Sequence, residues 1–281
     1  MNKARRNLPT LFAAHGILLA YTLLSVFPVI LIVINSLKSR RAIFGDPLGL
    51  PIGEGVFDLV GYATVLQNAD FLGYFANSLI VTLGALFFVL VAGSMAAFAL
   101  AEYRFRMNTL MALYLALGIM IPIRLGTIGI LELVVNLGLI NTLWALILVY
   151  TAQGLPLTIF ILSEFMRTVS KELKDAARVD GLSEYRIFFQ LALPLVRPAV
   201  ATVAVFTMIP IWNDLWFPLI LAPGEETKTI TLGAQQFIGQ FETNWNAILA
   251  ALTLAIVPVL VLYAIFSRQL VRGITSGAVK G

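Results

Sequence analysis

Six long apolar blocks leave this chain few folds to adopt. They run Leu11–Leu37, Phe71–Ala101, Met107–Ile123, Leu143–Phe165, Pro198–Leu221 and Ile248–Phe266. Each is at or near the roughly 20 residues that a helix needs to cross a bilayer core. None alternates polar with apolar positions, which excludes barrel strands, and in hydrocarbon a lone segment satisfies its backbone only as a helix. Across the chain 59% of residues are hydrophobic and 12% charged, against about 45–50% and about 25% in a soluble domain. The sequence therefore predicts an all-α polytopic membrane protein, a single transmembrane domain over 1–281 with six helices and no soluble domain. The third block is the weakest, because Pro122 and Arg124 cut it short. The stretch after it, 126–141, is apolar but short and glycine-interrupted, with Glu132 inside. It is expected to lie at the interface or re-enter, not to span.

Several functions are excluded early. There is no cysteine and only one histidine, His15, so disulfides, thiolate chemistry and a histidine metal or acid–base site are not expected. No catalytic cluster is apparent, and no G-x-x-x-x-G-K-[ST] phosphate loop occurs. The N-terminus is basic, with Lys3, Arg5 and Arg6. The apolar stretch behind it is far longer than the roughly 7–15 residues of a signal peptide, so it is expected to stay as a first span.

Orientation follows from the cations. With the N-terminus in the cytoplasm, fourteen of the nineteen Lys and Arg residues fall inside; Lys38, Arg40, Arg41, Arg124 and Lys228 fall outside. Both termini and the segment 171–194 are then cytoplasmic, although the Lys38–Arg41 cluster runs against the bias. The outer segments are Lys38–Asp70, rich in Gly, Pro and Asp turn signals, the region near Arg124–Asn141, and Pro223–Asn246. In the last, Phe237, Phe241 and Trp245 recur every four residues. That spacing predicts one aromatic face of a helix lying on the bilayer, or a loop that docks or probes substrate.

Lys171–Pro194 is the one compact polar excursion between apolar blocks. Ser170 is placed to cap a helix over 171–179, and Gly181 to end it. Ser183 with Glu184 opens a second short helix, and Pro194 is expected to close it. Leu173, Ala176 and Ala177 should share a smooth apolar face, flanked by Lys174, Asp175 and Arg178, with Ile187, Phe188 and Leu191 offered by the second helix. Such a knob fits a groove on a cytoplasmic partner.

The spacing here is specific. Asp175-Ala176-Ala177, three residues, Gly181, nine residues, then Leu191-Ala192-Leu193-Pro194 resembles the EAA motif of ABC importer permeases. Asp175 stands where that motif has Glu, and Leu191 where it has Ile. The tail from Leu270 to Gly281, Asn77-Ser78-Leu79, Leu137-Gly138-Leu139-Ile140-Asn141-Thr142 and Trp212-Asn213-Asp214 are similar to segments of the carbohydrate (maltose-type) permeases. The resemblance implies a six-span permease subunit that takes up a sugar or sugar derivative by alternating access. It implies that the knob is a coupling helix seated in an ATPase, through Asp175, Ala176, Ala177, Arg178, Asp180, Gly181, Leu191, Leu193 and Pro194, with Gly277 and Lys280 of the tail reaching the ATPase interface. ATP and Mg would be bound by that partner, and this chain would hold no cofactor or metal. The implied partners are a second, non-identical permease, an ATPase dimer, an extracytoplasmic sugar-binding protein and membrane lipid, with no nucleic acid. An importer for a non-sugar solute shares the motif. An ion-coupled transporter would call for more intramembrane acids and an internal repeat.

Asp214 is the one acid deep within a span, bracketed by Pro210 and Pro218. An Asp at a helix centre costs roughly 2.5–3.5 kcal/mol on insertion scales, so it is expected to face a cavity or a partner. With Trp212, Asn213 and Trp216 it offers ring faces and hydrogen-bonding groups that suit a sugar; Gln153, and more weakly Thr151 and Asn35, are further lining candidates. Pairing with another permease, or a place in the interfacial aromatic belt, is the alternative.

Overall fold

The structure, a computed structural model, describes residues 8–68, 70–238 and 243–278. Among these there is no strand ladder, only two isolated bridges, Lys38 with Phe57 and Ile238 with Thr243. The chain divides into two compact units, Met1–Asp70 with Ala234–Ile256, and Phe71–Gly233 with Val257–Gly281.

The first unit starts with α1 (Leu8–Ser36), followed by the short α2 (Arg40–Gly45) and α3 (Val60–Asn68). Most of α1 is bare within this chain, as suits a helix whose surroundings are lipid. Lys38 is buried, and its Nζ donates to Asn35 Oδ1 at 3.1 Å and to the Asp46 carbonyl at 2.7 Å. Asn35 in turn donates to the Pro47 carbonyl at 2.9 Å, and Asn246 donates to the Lys38 carbonyl at 2.7 Å. Lys38 therefore ties the loop after α1 together.

The expected aromatic helix face does not form. Phe237 lies in a turn whose carbonyl accepts from Asn244 N at 3.0 Å, and Phe241 lies outside the described residues. Trp245 opens the last helix, α14 (Trp245–Ala278), and meets Phe44 edge-on at 6.1 Å. Among the described residues Phe237 and Trp245 thus belong to different elements, with an isolated bridge between Ile238 and Thr243. Gly277 falls near the end of α14 and Lys280 lies outside the described residues.

In the second unit α4 (Phe71–Glu102) is a 32-residue rod, about 48 Å long at 1.5 Å per residue. It packs along α7 (Leu143–Arg167) through small residues, the usual means by which membrane helices approach closely. A Cβ on Gly93 would lie 2.5 Å from Thr158 Cγ2, and one on Gly154 2.8 Å from Val89 Cγ2. Ala97, Leu162, Ala199 and Val203 fill the seam where α11 (Arg197–Asn213) joins them. Between α4 and α7, α5 (Asn108–Met120) stops before Pro122, a 3-10 turn covers Ile123–Gly126, and α6 (Thr127–Asn136) leaves at 87°. The stretch expected to re-enter is thus a separate, sharply bent helix.

After α7 come α8 (Lys171–Val179), a helical run made of α9 (Glu184–Arg186), a π-helical stretch (Ile187–Ala192) and α10 (Leu193–Leu195), and then α11, 79° off that run. Pro194 does not end the helix as expected; the bend falls at Val196. A π-helical stretch precedes it, in which Leu193 N donates to the Phe188 carbonyl five residues back. Nor is block 198–221 one helix. Pro210 rides inside α11, and the break comes at Asp214, before α12 (Trp216–Leu221). The short α13 (Ile230–Gln235) follows. Among the described residues three helices are long and apolar enough to span alone, the two bent pairs can each make one more, and the apolar part of α14, Trp245–Val261, is shorter.

Candidate functional site

The 171–194 knob is built as its local signals dictate. Ser170 Oγ accepts from Leu173 N at 3.3 Å, and Gly181 takes φ 80°, the left-handed conformation that closes a helix. Gly181 N then donates to the Arg178 carbonyl at 3.0 Å and Leu182 N to the Ala177 carbonyl at 3.0 Å. Ser183 precedes the second helix but makes no side-chain cap.

Its faces differ from the expected ones. Ala177 points inward, packed with Phe98, Met166, Ile187, Phe188 and Ala192. Ile187 and Phe188 are core residues rather than a docking face, while Leu191 and Leu193 are half-buried against the same cluster. The hydrophobic drive to cover Phe98 at the end of α4 outweighs exposing those side chains. What α8 presents outward is Leu173, Ala176 and Val179, with Asp175, Asp180 and Gly181 beside them; Pro194 is half-buried.

Beneath α8 lies an ion cluster that the sequence did not disclose. Glu102 ends α4. One of its oxygens takes Lys174 Nζ and the other takes Arg178 Nη2 at 2.6 Å. The side chains of Glu102 and Lys174 are 9% and 7% exposed. Arg178 also grips Glu184, Nε to Oε1 at 2.7 Å, and Asp175, Nη1 to Oδ1 at 2.6 Å. The Tyr103 hydroxyl donates to Glu184 Oε2 at 2.8 Å. Burial first, then the Glu184 carboxylate, pushes the Tyr103 phenol up to about 12, so it remains a donor. Glu184, then Glu102, pushes the Arg178 guanidinium above its already high range. Asp175, the shorter acid at the head of the motif, thus bonds within its own helix. Removing one member of a buried pair typically costs about 3–5 kcal/mol, because its partner stays buried and unpaired.

At the other end of α4 and α11 the broken helix centres on Asp214. Its side chain is 10% exposed. One oxygen accepts the Tyr150 hydroxyl at 2.8 Å and Phe217 N at 3.1 Å; the other takes Arg124 Nη2 at 3.2 Å. The Asp214 carbonyl accepts Thr231 Oγ1 at 2.7 Å. The carboxylate therefore caps the start of α12 and links it to α7 and to the 3-10 turn at the α5–α6 bend. The Arg124 guanidinium lies 5.8 Å over the Trp216 ring, whose Nε1 donates to Thr127 Oγ1 at 3.0 Å. The acid is paired inside this chain.

The other lining candidates scatter. Trp212 is buried edge-on against Phe75 at 5.8 Å and backs the wall. Asn213 is exposed and bonds the Ile209 carbonyl. Gln153 is exposed on α7 and lines a largely apolar cavity of about 690 Å³ with Tyr114, Gly118, Pro122, Ile130 and Pro156. Thr151 bonds its own helix, and Asn35 belongs to the Lys38 loop. Among the described residues no three His, Cys, Asp or Glu side chains gather to hold a metal ion.

The motifs at the start of α4 and before α7 turn out to hold a loop. Asn77 Nδ2 donates to the carbonyls of Glu226 and Lys228 at 2.8 and 3.0 Å, and Ser78 Oγ accepts Ile230 N at 2.8 Å. Asn141, at φ 59°, accepts Gly224 N at 2.7 Å and Thr227 Oγ1 at 2.8 Å. Glu225 bonds both Lys228 and Tyr74. Those partners, Lys228 first, hold its carboxyl below the usual carboxylate range. Residues 222–230 are thereby strapped to the start of α4.

An all-helical chain of several spans, with a clamped polar knob and broken helices, is a multi-pass membrane permease in class. It belongs to the family described as binding-protein-dependent transport system inner membrane component, whose model matches residues 89–276. It is 32% identical over 95% of its length to the diacetylchitobiose uptake system permease protein of Streptomyces coelicolor, covering 88% of that protein. It is 30% identical over 90% of its length to the melibiose/raffinose/stachyose import permease protein of Bacillus subtilis, covering 91% of it. In fold it matches a chain of a bacterial ABC transporter involved in import of the acidic polysaccharide alginate, with TM-score 0.78 over 95% of this chain and 99% of that one, at 21% identity.

Proposed function

We propose that this chain is a permease subunit of an ABC importer for a sugar, oligosaccharide or sugar derivative. It works by alternating access driven by ATP hydrolysis on partner subunits. The observation that carries the reading is α8: its outer face of Leu173, Ala176 and Val179 stands free while its underside is locked to α4. A helix held rigidly from below and bare above is suited to receive a push. The names of the relatives point to sugars as cargo. In this reading Asp175, Ala176, Asp180 and Gly181 meet an ATPase dimer, and Ala177, Arg178, Leu191, Leu193 and Pro194 support them from behind. Gly277 and Lys280 of the tail reach the same ATPase. Both termini and the knob are cytoplasmic, in line with the cation bias.

A second, non-identical permease and an extracytoplasmic sugar-binding protein complete the importer, and ATP with Mg binds to the ATPase. Asn213, Asp214, Trp216 and Gln153 face or border the substrate path, with Trp212 as their backing. The test is uptake of labelled di- and oligosaccharides by vesicles holding the complete importer. Uptake is expected to need ATP and to vanish when α8 and its turn are deleted or when Gly181→Asp is introduced, with the chain still in the membrane. Normal uptake without the knob, or uptake that survives ATP depletion but collapses with an ion gradient, would overturn the reading.

A further inference from the structure

We propose that Glu102 is the positioning residue through which the α8 knob moves α4, making α4 the rod that joins the knob to the 222–230 loop. The inference rests on the reading of α8 as the ATPase handle. Covalently, α8 is tethered only by the 168–170 link to α7 and by the Gly181 turn, whose backbone is left-handed. Neither is a stiff lever. The firm attachment is lateral. Lys174 and Arg178 are four residues apart, hence one turn apart on the same face, and each takes one oxygen of the same Glu102 carboxylate. One contact would fix only a distance; two from successive turns also fix how α8 is rotated about the end of α4.

Phe98, one turn earlier on α4, shares an apolar cluster with Ala177 of α8 and meets Phe188 at 5.5 Å. The end of α4 thus holds α8 by charge and by packing together. Asp175 and Glu184 bond Arg178, and among the described residues the acid within ion-pair distance of Lys174 is Glu102. At the far end of the same helix, Tyr74, Asn77 and Ser78 hold residues 225–230. A displacement of α8 is therefore delivered along α4 to the 222–230 loop.

The experiment measures ATP hydrolysed per sugar taken up by the complete importer in proteoliposomes. It compares the parent chain, Glu102→Gln, Glu102→Asp, Gly181→Asp and the double variant Glu102→Gln with Lys174→Gln. For Glu102→Gln hydrolysis is expected to persist while uptake falls about tenfold, so that the ratio rises by that factor. Glu102→Asp, which keeps the charge, should recover most of the coupling, and the double variant should be no worse than Glu102→Gln, since both act on one bond. A ratio unchanged from the parent, whether both activities hold or fall together, would overturn the proposal. If Glu102→Gln does not assemble, the single variant Lys174→Gln, which breaks one of the two contacts, decides: a raised ratio supports the proposal and a parental one overturns it. If the parent shows no ATP-linked uptake, or Gly181→Asp has no effect, the importer reading itself fails; with those intact, a parental ratio at Glu102 sinks only this inference.

Discussion

Asp214 and Arg124 illustrate how unequal the two ends of one ion pair can be. The Arg124 side chain is 64% exposed and that of Asp214 10%. Loss of Arg124 removes a screened contact, worth under about 1 kcal/mol. Loss of Asp214 strands the Tyr150 hydroxyl and Phe217 N, at about 2–3 kcal/mol. Thermal unfolding in micelles should therefore fall clearly for Asp214→Ala and little for Arg124→Ala; the reverse order would contradict the arrangement. Gly181 offers a cleaner case. No atom lies within 4 Å of a Cβ built there, so Gly181→Ala costs only the left-handed strain, about 1–2 kcal/mol. Gly181→Asn, which tolerates that conformation, should retain more ATP-linked uptake than Gly181→Ala. Ser170, Gly181 and the motif spacing were legible because each signal is local. Glu102 with Lys174 was not, because 72 residues separate them and nothing in either neighbourhood names the other.

Among the elements, the apolar blocks located the helices well and their interruptions poorly. Pro210 and Pro218 marked where α11 was free to break, yet the break follows Asp214, whose carboxylate caps the next helix. Pro194 looked like a terminator and is carried through by a π turn. Four-residue aromatic spacing at Phe237 and Trp245 was overridden by a turn and a bridge, a tertiary outcome that periodicity does not contain. The tight α4–α7 seam makes a direct prediction. Gly93→Val places a branched side chain where even a Cβ would meet Thr158 Cγ2 at 2.5 Å. It should cost about 1–3 kcal/mol or more in unfolding free energy. Gly126→Ala, whose nearest neighbour would be Ile130 Cδ1 at 3.8 Å, should be nearly silent in the same assay.

For the whole molecule, composition alone settled the class, and the cation bias supplies an orientation that chemistry can check. The chain has no cysteine, so single substitutions report one place each. Val179→Cys, 87% exposed on the knob, should react with an impermeant maleimide only from the cytoplasmic side, and Glu226→Cys only from the outer side. Labelling of both from one side would refute the topology. The strap on the start of α4 should also be acid-sensitive. Glu225 has its carboxyl held below the ordinary 4.5 by Lys228 and Tyr74. A depressed carboxyl contributes its full share above the unfolded value and loses it as pH falls through the folded one. A spin label at Glu226→Cys should thus stay immobile at neutral pH and loosen only below about 4.5; loosening between pH 5 and 7 would rule out Glu225 as the anchor.

The π-helical stretch Ile187–Ala192 has one more consequence, for sequence length. A π turn is an α-helix carrying one surplus residue, and one residue of α-helix corresponds to about 100° of rotation. Excising the exposed Gln190 would let the run relax to regular α-helix. That angle is lost only when a residue leaves a regular helix; here the widened turn absorbs the surplus residue, so Val196 and α11 would keep their phase and Asp214 its contacts with Tyr150 and Arg124. What the deletion would restore is a regular helix in which the Pro194 ring meets the carbonyl four residues before it, so its cost should fall on the knob itself and leave the far end of α11 where it is.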